Sequence, residues 1–189
     1  HPAERAFRRV PRQASRATSD GAYFDLDEAG SYRISAAVAS IGWTEEWPIC
    51  GISWEDAVDY CAWLTRACGG DAWRFELPSE DEWEKAARGP DGRFFPWGDE
   101  FDPTFCNMQV SRDGEQQEQR LPEPWGLFPI DESPYGVRDL AGGLREWSRT
   151  EGSGPIEYRI TKGGSLGGPE ATCRSASRDG VGLRLVSDG

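Results

Sequence analysis

Tyr135-Gly136-Val137-Arg138-Asp139-Leu140-Ala141-Gly142-Gly143-Leu144-Arg145-Glu146-Trp147 is the stretch on which the reading of this chain turns. Three further frames follow it in order: Lys162-Gly163-Gly164-Ser165, Cys173-Arg174-Ser175-Ala176 and Gly182-Leu183-Arg184-Leu185-Val186. Paired glycines and short apolar runs at this density predict tight loops joined to short strands. The only histidine is His1. That removes Ser-His-Asp and Cys-His catalysis from the options.

Upstream, two helices are clearly signed. Ser53-Trp54-Glu55-Asp56 reads as a capping-box variant, with apolar residues at Trp54, Ala57, Val58, Cys61 and Leu64 in helical spacing and a stop at Gly69-Gly70. Ser79-Glu80-Asp81-Glu82 is a full capping box, with Trp83, Ala86 and Ala87 on one face and Gly89 as the stop. Acidic residues crowd both first turns, where the helix dipole favours them. Trp73–Leu77, Tyr158–Lys162 and Gly182–Val186 read as strands. Residues 90–135 are dominated by turn residues, and an irregular stretch of that length is expected to be functional or pinned.

The chain has 189 residues, which fits a single domain over 21–189 with a flexible basic arm or linker over 1–20. That arm carries five arginines and no apolar segment of the signal-peptide kind. No apolar run approaches a membrane span. Nine tryptophans are expected to supply much of the core. A net charge of −12 argues against a nucleic-acid partner and permits bound cations or a basic partner. The five cysteines, Cys50, Cys61, Cys68, Cys106 and Cys173, form no CxxC pair. They read as buried reduced thiols and lean towards a cytoplasmic location.

The motifs in order, from Gly51-Ile52-Ser53-Trp54-Glu55-Asp56-Ala57 through Leu77-Pro78-Ser79-Glu80-Asp81-Glu82-Trp83-Glu84 and Phe95-Pro96-Trp97-Gly98-Asp99 to the frames above, resemble the formylglycine-generating-enzyme (sulfatase-modifying factor) family. The resemblance runs over roughly 47–186 and fades in 1–46, where no first strand is visible. It implies an α+β, loop-rich fold of the C-type lectin type, with two helices around a small twisted antiparallel sheet.

The family's branches make different demands. The copper-dependent oxidase that makes formylglycine uses a cysteine pair, and the resemblance puts those positions on Glu170 and Ser175. A carboxylate and a hydroxyl do not replace two soft thiolates, so copper is not expected. The iron sulfoxide synthases use a histidine triad that this chain lacks. Calcium is the retained chemistry. The resemblance implies Asp139 and Glu146 as side-chain ligands, with the carbonyls of Gly142 and Leu144. Calcium takes six to eight oxygens, and a glycine-containing loop can turn several inward. A second family site would use Asn107 and the Met108 carbonyl, with Asp113 as a candidate partner.

The C-terminal layout is similar to the variable region of retroelement-diversified members. Leu166, Gly167, Gly168, Pro169, Glu170, Ala171 and Thr172, with Ser177 and Asp179, would form the binding face. The expectation is a non-catalytic domain that binds a protein or small-molecule ligand. Two settings stay open: a variable protein, or the sensor domain of a longer chain such as a bacterial kinase. The enzymatic alternative is a protein-cysteine oxidase centred on Cys173, and a structural alternative has the basic arm docking on an acidic partner.

Overall fold

A computed structural model describes residues 24–29, 31–40, 42–69, 72–111, 122–153 and 158–182. The expected basic arm, Asp113 and all but the first residue of the expected strand Gly182–Val186 lie outside the described residues.

A hairpin opens the described chain where no strand was expected. Strands β1 (Phe24–Leu26) and β2 (Tyr32–Ile34) pair antiparallel, with Asp25 opposite Arg33. Asp27 builds the turn: its Oδ1 accepts from the Ala29 and Ser31 amides at 3.0 and 2.8 Å, and its Oδ2 holds Arg33 Nε. A short helix α1 (Ala36–Ala39) follows, capped by Ser35. Val38 and Trp43 form a small core here, with Phe24, Ile34, Trp47 and Cys50 packed on it.

The two signed helices form as expected. In α2 (Trp54–Leu64) and α3 (Glu80–Arg88), the capping serine accepts from the N3 amide and the N3 carboxylate accepts from the serine amide. Gly89 ends α3 at φ 67°, where a Cβ would lie 2.7 Å from Pro134 Cγ, so only glycine fits. Beyond α2 the chain loosens into a π turn (Thr65–Gly69), and Thr65 Oγ1 donates back to the Cys61 carbonyl.

Strands β3 (Glu146–Glu151), β4 (Tyr158–Lys162) and β5 (Asp179–Gly182) form an antiparallel sheet with β4 in the middle. Lys162 faces Glu146, and Asp179 faces Thr161. β4 is buried from Arg159 to Lys162, as a central strand covered on both faces must be. α3 lies against both β3 and β4. Indole N–H groups tie the helices and the preceding loop to β3: Trp83 to Glu146 Oε2, Trp54 to the Ser148 carbonyl, and Trp147 to the Ile52 carbonyl.

Three expectations fail. Of the five cysteines read as buried, Cys106 and Cys173 are, while Cys50 and Cys61 are half-buried and Cys68 is exposed. Trp73–Leu77 forms no strand, because its backbone partners are side chains rather than a ladder. The Phe75 amide donates to Thr65 Oγ1, and the Leu77 carbonyl accepts from the Arg149 guanidinium. Nor do the tryptophans dominate the core: Trp43 and Trp83 are buried, while Trp63, Trp73 and Trp125 are exposed. The largest cluster is instead Phe95, Cys106, Met108, Ala141 and Cys173, flanked by Trp97 and Phe101. Among the described residues, no helix is long and apolar enough to cross a membrane.

Candidate functional site

The loop between Leu140 and Trp147 is held from both sides. Gly142 bridges to Asn107, and the Gly143 amide donates to the Asn107 carbonyl at 2.6 Å. The Gly142 amide donates to the Gly163 carbonyl at 2.7 Å. Gly142 sits at φ 72°, and a Cβ there would fall 2.5 Å from the Asn107 carbonyl oxygen. Glycine is therefore required for both conformation and space.

This loop, with segments around Ile49 and Trp125, encloses a cavity of about 550 Å³. The calcium residues expected from sequence, Asn107, Asp139, Gly142, Leu144 and Glu146, all line it. So does Asp131, which the sequence reading missed. Asp131 is buried; its Oδ2 accepts from the Ala141 amide at 2.8 Å, and its Oδ1 has no partner. Burial pushes its carboxyl up to about 7; the charge of Asp139 adds to this, while the Ala141 amide works the other way.

Asp139 adopts a left-handed φ of 58°, uncommon for a non-glycine residue, and its Oδ2 accepts from the Gly126 amide at 2.8 Å. Glu146 Oε2 accepts from Trp83 Nε1 at 2.7 Å. The accessible surface of Glu146 opens on the cavity, while surrounding protein raises its carboxyl above the usual range. Oxygen donors are the type a hard cation such as calcium takes, and Asp131 Oδ1 is buried with no hydrogen-bond partner. Among the described residues, no three His, Cys, Asp or Glu side chains are gathered tightly enough to form a cage by themselves. A cation here would lean on the backbone carbonyls as well.

The expected binding face divides into anchors and display. Leu166 is 8% exposed, and its carbonyl accepts from the Gln109 amide, so its side chain is core rather than face. Gly167, Pro169, Glu170 and Ala171 are exposed. Gly168 is half-buried, and a Cβ on it would lie 2.7 Å from Thr172 Oγ1. Thr172 Oγ1 donates to the Pro169 carbonyl, and Cys173 and Ser175 are buried. Thr172, Ser177 and Asp179 meet around a dimple of about 10 Å³, and Asp179 is held by Arg145 at 2.6 Å. Arg145 and Thr161 line both this dimple and the large cavity, so the two regions adjoin. Of the two positions that would carry an oxidase pair, Glu170 is exposed and Ser175 is buried.

The chain is 33% identical over 128 residues to the Bos taurus protein named inactive C-alpha-formylglycine-generating enzyme 2, covering 64% of this chain and 38% of that protein. It is 31% identical over 159 residues to the formylglycine-generating enzyme of Thermomonospora curvata, covering 67% of this chain and 46% of the other. It thus spans less than half of either relative. Among solved structures, PvdO from Pseudomonas aeruginosa matches 72% of this chain and 57% of its own at a TM-score of 0.59 and 24% identity. Treponema denticola variable protein 1 matches 75% of this chain and 68% of its own at a TM-score of 0.56 and 19% identity. Both likenesses show the C-type lectin-like fold. The model of the sulfatase-modifying factor enzyme 1-like domain matches residues 22–187, including the hairpin that the sequence motifs did not reach, and the chain belongs to that family.

Proposed function

We propose that this domain binds a ligand without transforming it, on the face displayed by residues 167–172 with Ser177 and Asp179. The observation that carries the reading is the division within that loop. Leu166, Cys173 and Ser175 are sunk in the core, while Gly167, Pro169, Glu170 and Ala171 project outward. A loop clamped at its ends can change its exposed side chains without unfolding the scaffold. The positions to which the family resemblance carries the oxidase cysteines hold a carboxylate and a hydroxyl, and two relatives carry "inactive" in their names. A variable protein with the same fold supports a diversified surface here.

Sequencing the coding end for residues 160–186 across sibling isolates tests this. Changes confined to positions 167, 169, 170, 171, 177 and 179, with 168 and 172 fixed by their contact, are the expected result. A uniform sequence overturns diversification and leaves a dedicated sensor of a longer chain. Conversion of a cysteine-containing sulfatase-type peptide by the purified protein overturns the non-catalytic reading.

Calcium is the proposed scaffold ion. Asp139 and Glu146 would supply carboxylate oxygens and Gly142 and Leu144 their carbonyls, with Asp131 lining the same cavity. The ion would offset the carboxylates' mutual repulsion and brace the loop beneath the binding face. Saturating calcium is expected to raise the thermal midpoint, with a gain of about 2.7 kcal/mol at a hundredfold excess over Kd. Asp139→Asn and Glu146→Gln should abolish the gain. An unchanged midpoint in wild-type protein, first stripped with a chelator, overturns the assignment.

A further inference from the structure

A second groove, of about 460 Å³, lies between α2 and residues 74–77. Apart from Leu77 it shares no lining residue with the large cavity, and none with the displayed loop. Trp54, Val58, Ala62, Phe75 and Leu77 make its walls apolar. Cys61 joins them. Burial, and then the charge of Glu76, raise its thiol, so it stays protonated and adds to the apolar wall.

Hydrogen bonds hold these walls apart and in place. At one end they meet directly: Thr65 Oγ1 accepts from the Phe75 amide at 2.9 Å. At the other, both tie to consecutive residues of β3. The Trp54 indole donates to the Ser148 carbonyl at 2.9 Å, and Arg149 Nη1 donates to the Leu77 carbonyl at 3.0 Å. The Arg159 guanidinium lies over the Trp54 ring, 4.3 Å from its centre, and fixes its plane. Apolar walls pinned in this way leave a pre-formed space of the size small ligands fill, about 300–1,000 Å³.

The rim inverts the sign of the molecule. The chain carries a net charge of −12, yet Arg66, Arg74 and Arg149 border the groove against one carboxylate, Glu76. Arg74 engages Glu76 at 2.5 Å, and Arg149 pairs with Glu82 at 2.9 Å. Arg66, on the turn beyond α2, is exposed and has no ion pair among the described residues. We propose that this groove binds a small amphipathic monocarboxylate. Its alkyl or aryl body lies against Val58, Ala62, Phe75 and Leu77, and its carboxylate meets Arg66, with Arg74 beside it. A guanidinium takes a carboxylate through two parallel N–H donors. Walls tied at both ends suit a compact occupant, where an acidic peptide would have to run through. The site stands whether or not the ligand-binding reading of the displayed loop holds.

The test is calorimetric titration of the full chain with decanoate, decanol and decylammonium, read alongside its amide resonances. Decanoate should bind at one equivalent and shift the amides of residues 58–66 and 74–77. Decanol and decylammonium should bind at least about tenfold more weakly, the loss of one charged hydrogen bond. Arg66→Gln should weaken decanoate by the same factor and leave decanol unchanged, a split that damage to the fold would not produce. Ala62→Phe fills the groove and should abolish binding of both. Circular dichroism separates lost binding from lost folding, and Arg66→Gln carries the test if Ala62→Phe unfolds. No binding of decanoate to the folded chain overturns the proposal. So does equal affinity for decanoate and decylammonium, an Arg66→Gln variant that binds decanoate like the wild type, or amide shifts confined to the large cavity or the displayed loop.

Discussion

Helices α2 and α3 begin in the same way and end in different company. Each opens on a serine and an N3 carboxylate that cap each other's amides. α3 then buries Trp83 and Ala87, lies on β3 and β4, and stops on a glycine that no other residue can replace. α2 buries only Ala57, leaves Tyr60 and Trp63 exposed, and fades into a π turn. Cap chemistry decides where a helix starts. The neighbours on its apolar face decide how much stability it carries.

The sharpest way to break this contrast is truncation. Trp83→Ala removes a buried indole, its bond to Glu146 and the ring beneath Lys162. A loss of about 3–5 kcal/mol is expected in urea unfolding. Trp63→Ala on α2 should cost under about 1 kcal/mol; comparable losses would refute the distinction. Gly89→Ala should cost about 1–3 kcal/mol through strain and the clash with Pro134, where a residue in the fading end of α2 should tolerate alanine. Ser53→Ala and Ser79→Ala should each cost about 1 kcal/mol, because the caps are alike. Unequal values would show that tertiary context reaches even the first turn.

A smaller effect concerns acid. The Ser79 amide and then Arg149 hold the Glu82 carboxyl below its usual value. A depressed carboxyl stabilises the fold above its unfolded pKa, and that contribution is lost as pH falls through the lower folded value. Glu82→Gln should therefore flatten the decline of the urea midpoint below about pH 4.5, from the ordinary value downward. An unchanged slope would remove Glu82 from the acid response. Smallest of all, Pro169→Ser and Glu170→Gln should shift stability by less than about 0.5 kcal/mol.

What could be read in the sequence was local. Ser53, Ser79 and Gly89 announce helix boundaries within a few residues of themselves, and the structure agrees. Tyr158–Lys162 reads as a strand because β-branched residues sit at its centre. Trp73–Leu77 has equal strand character but finds side-chain partners, which no local pattern reveals. The β1–β2 turn was legible in principle, since Asp27 stands before a glycine-containing turn, but its strands are only three residues long. In the candidate site, the Asp139–Glu146 loop was found through its frame. Asp131 was missed because nothing around it in sequence differs from a solvent-facing aspartate. Cys106, Met108 and Cys173 were missed as a core cluster because contact across 65 residues leaves no spacing to count.

Lys162 bears on how this domain keeps one shape. Its side chain is 1% exposed, its Nζ lies 3.6 Å from Glu84 Oε2, and burial lowers its pKa. A buried ammonium is a poor source of stability, but it is intolerant of misplacement. If α3 slid by the one turn that puts Arg88 in the place of Glu84, two cations would meet and the buried charge would be stranded. Lys162 thus works as an address rather than an adhesive: it tells the helix where on the sheet it belongs. Replacing it with methionine should leave the urea midpoint level or higher while broadening the amide resonances of α3. Equally sharp resonances would show that apolar packing alone already knows the way.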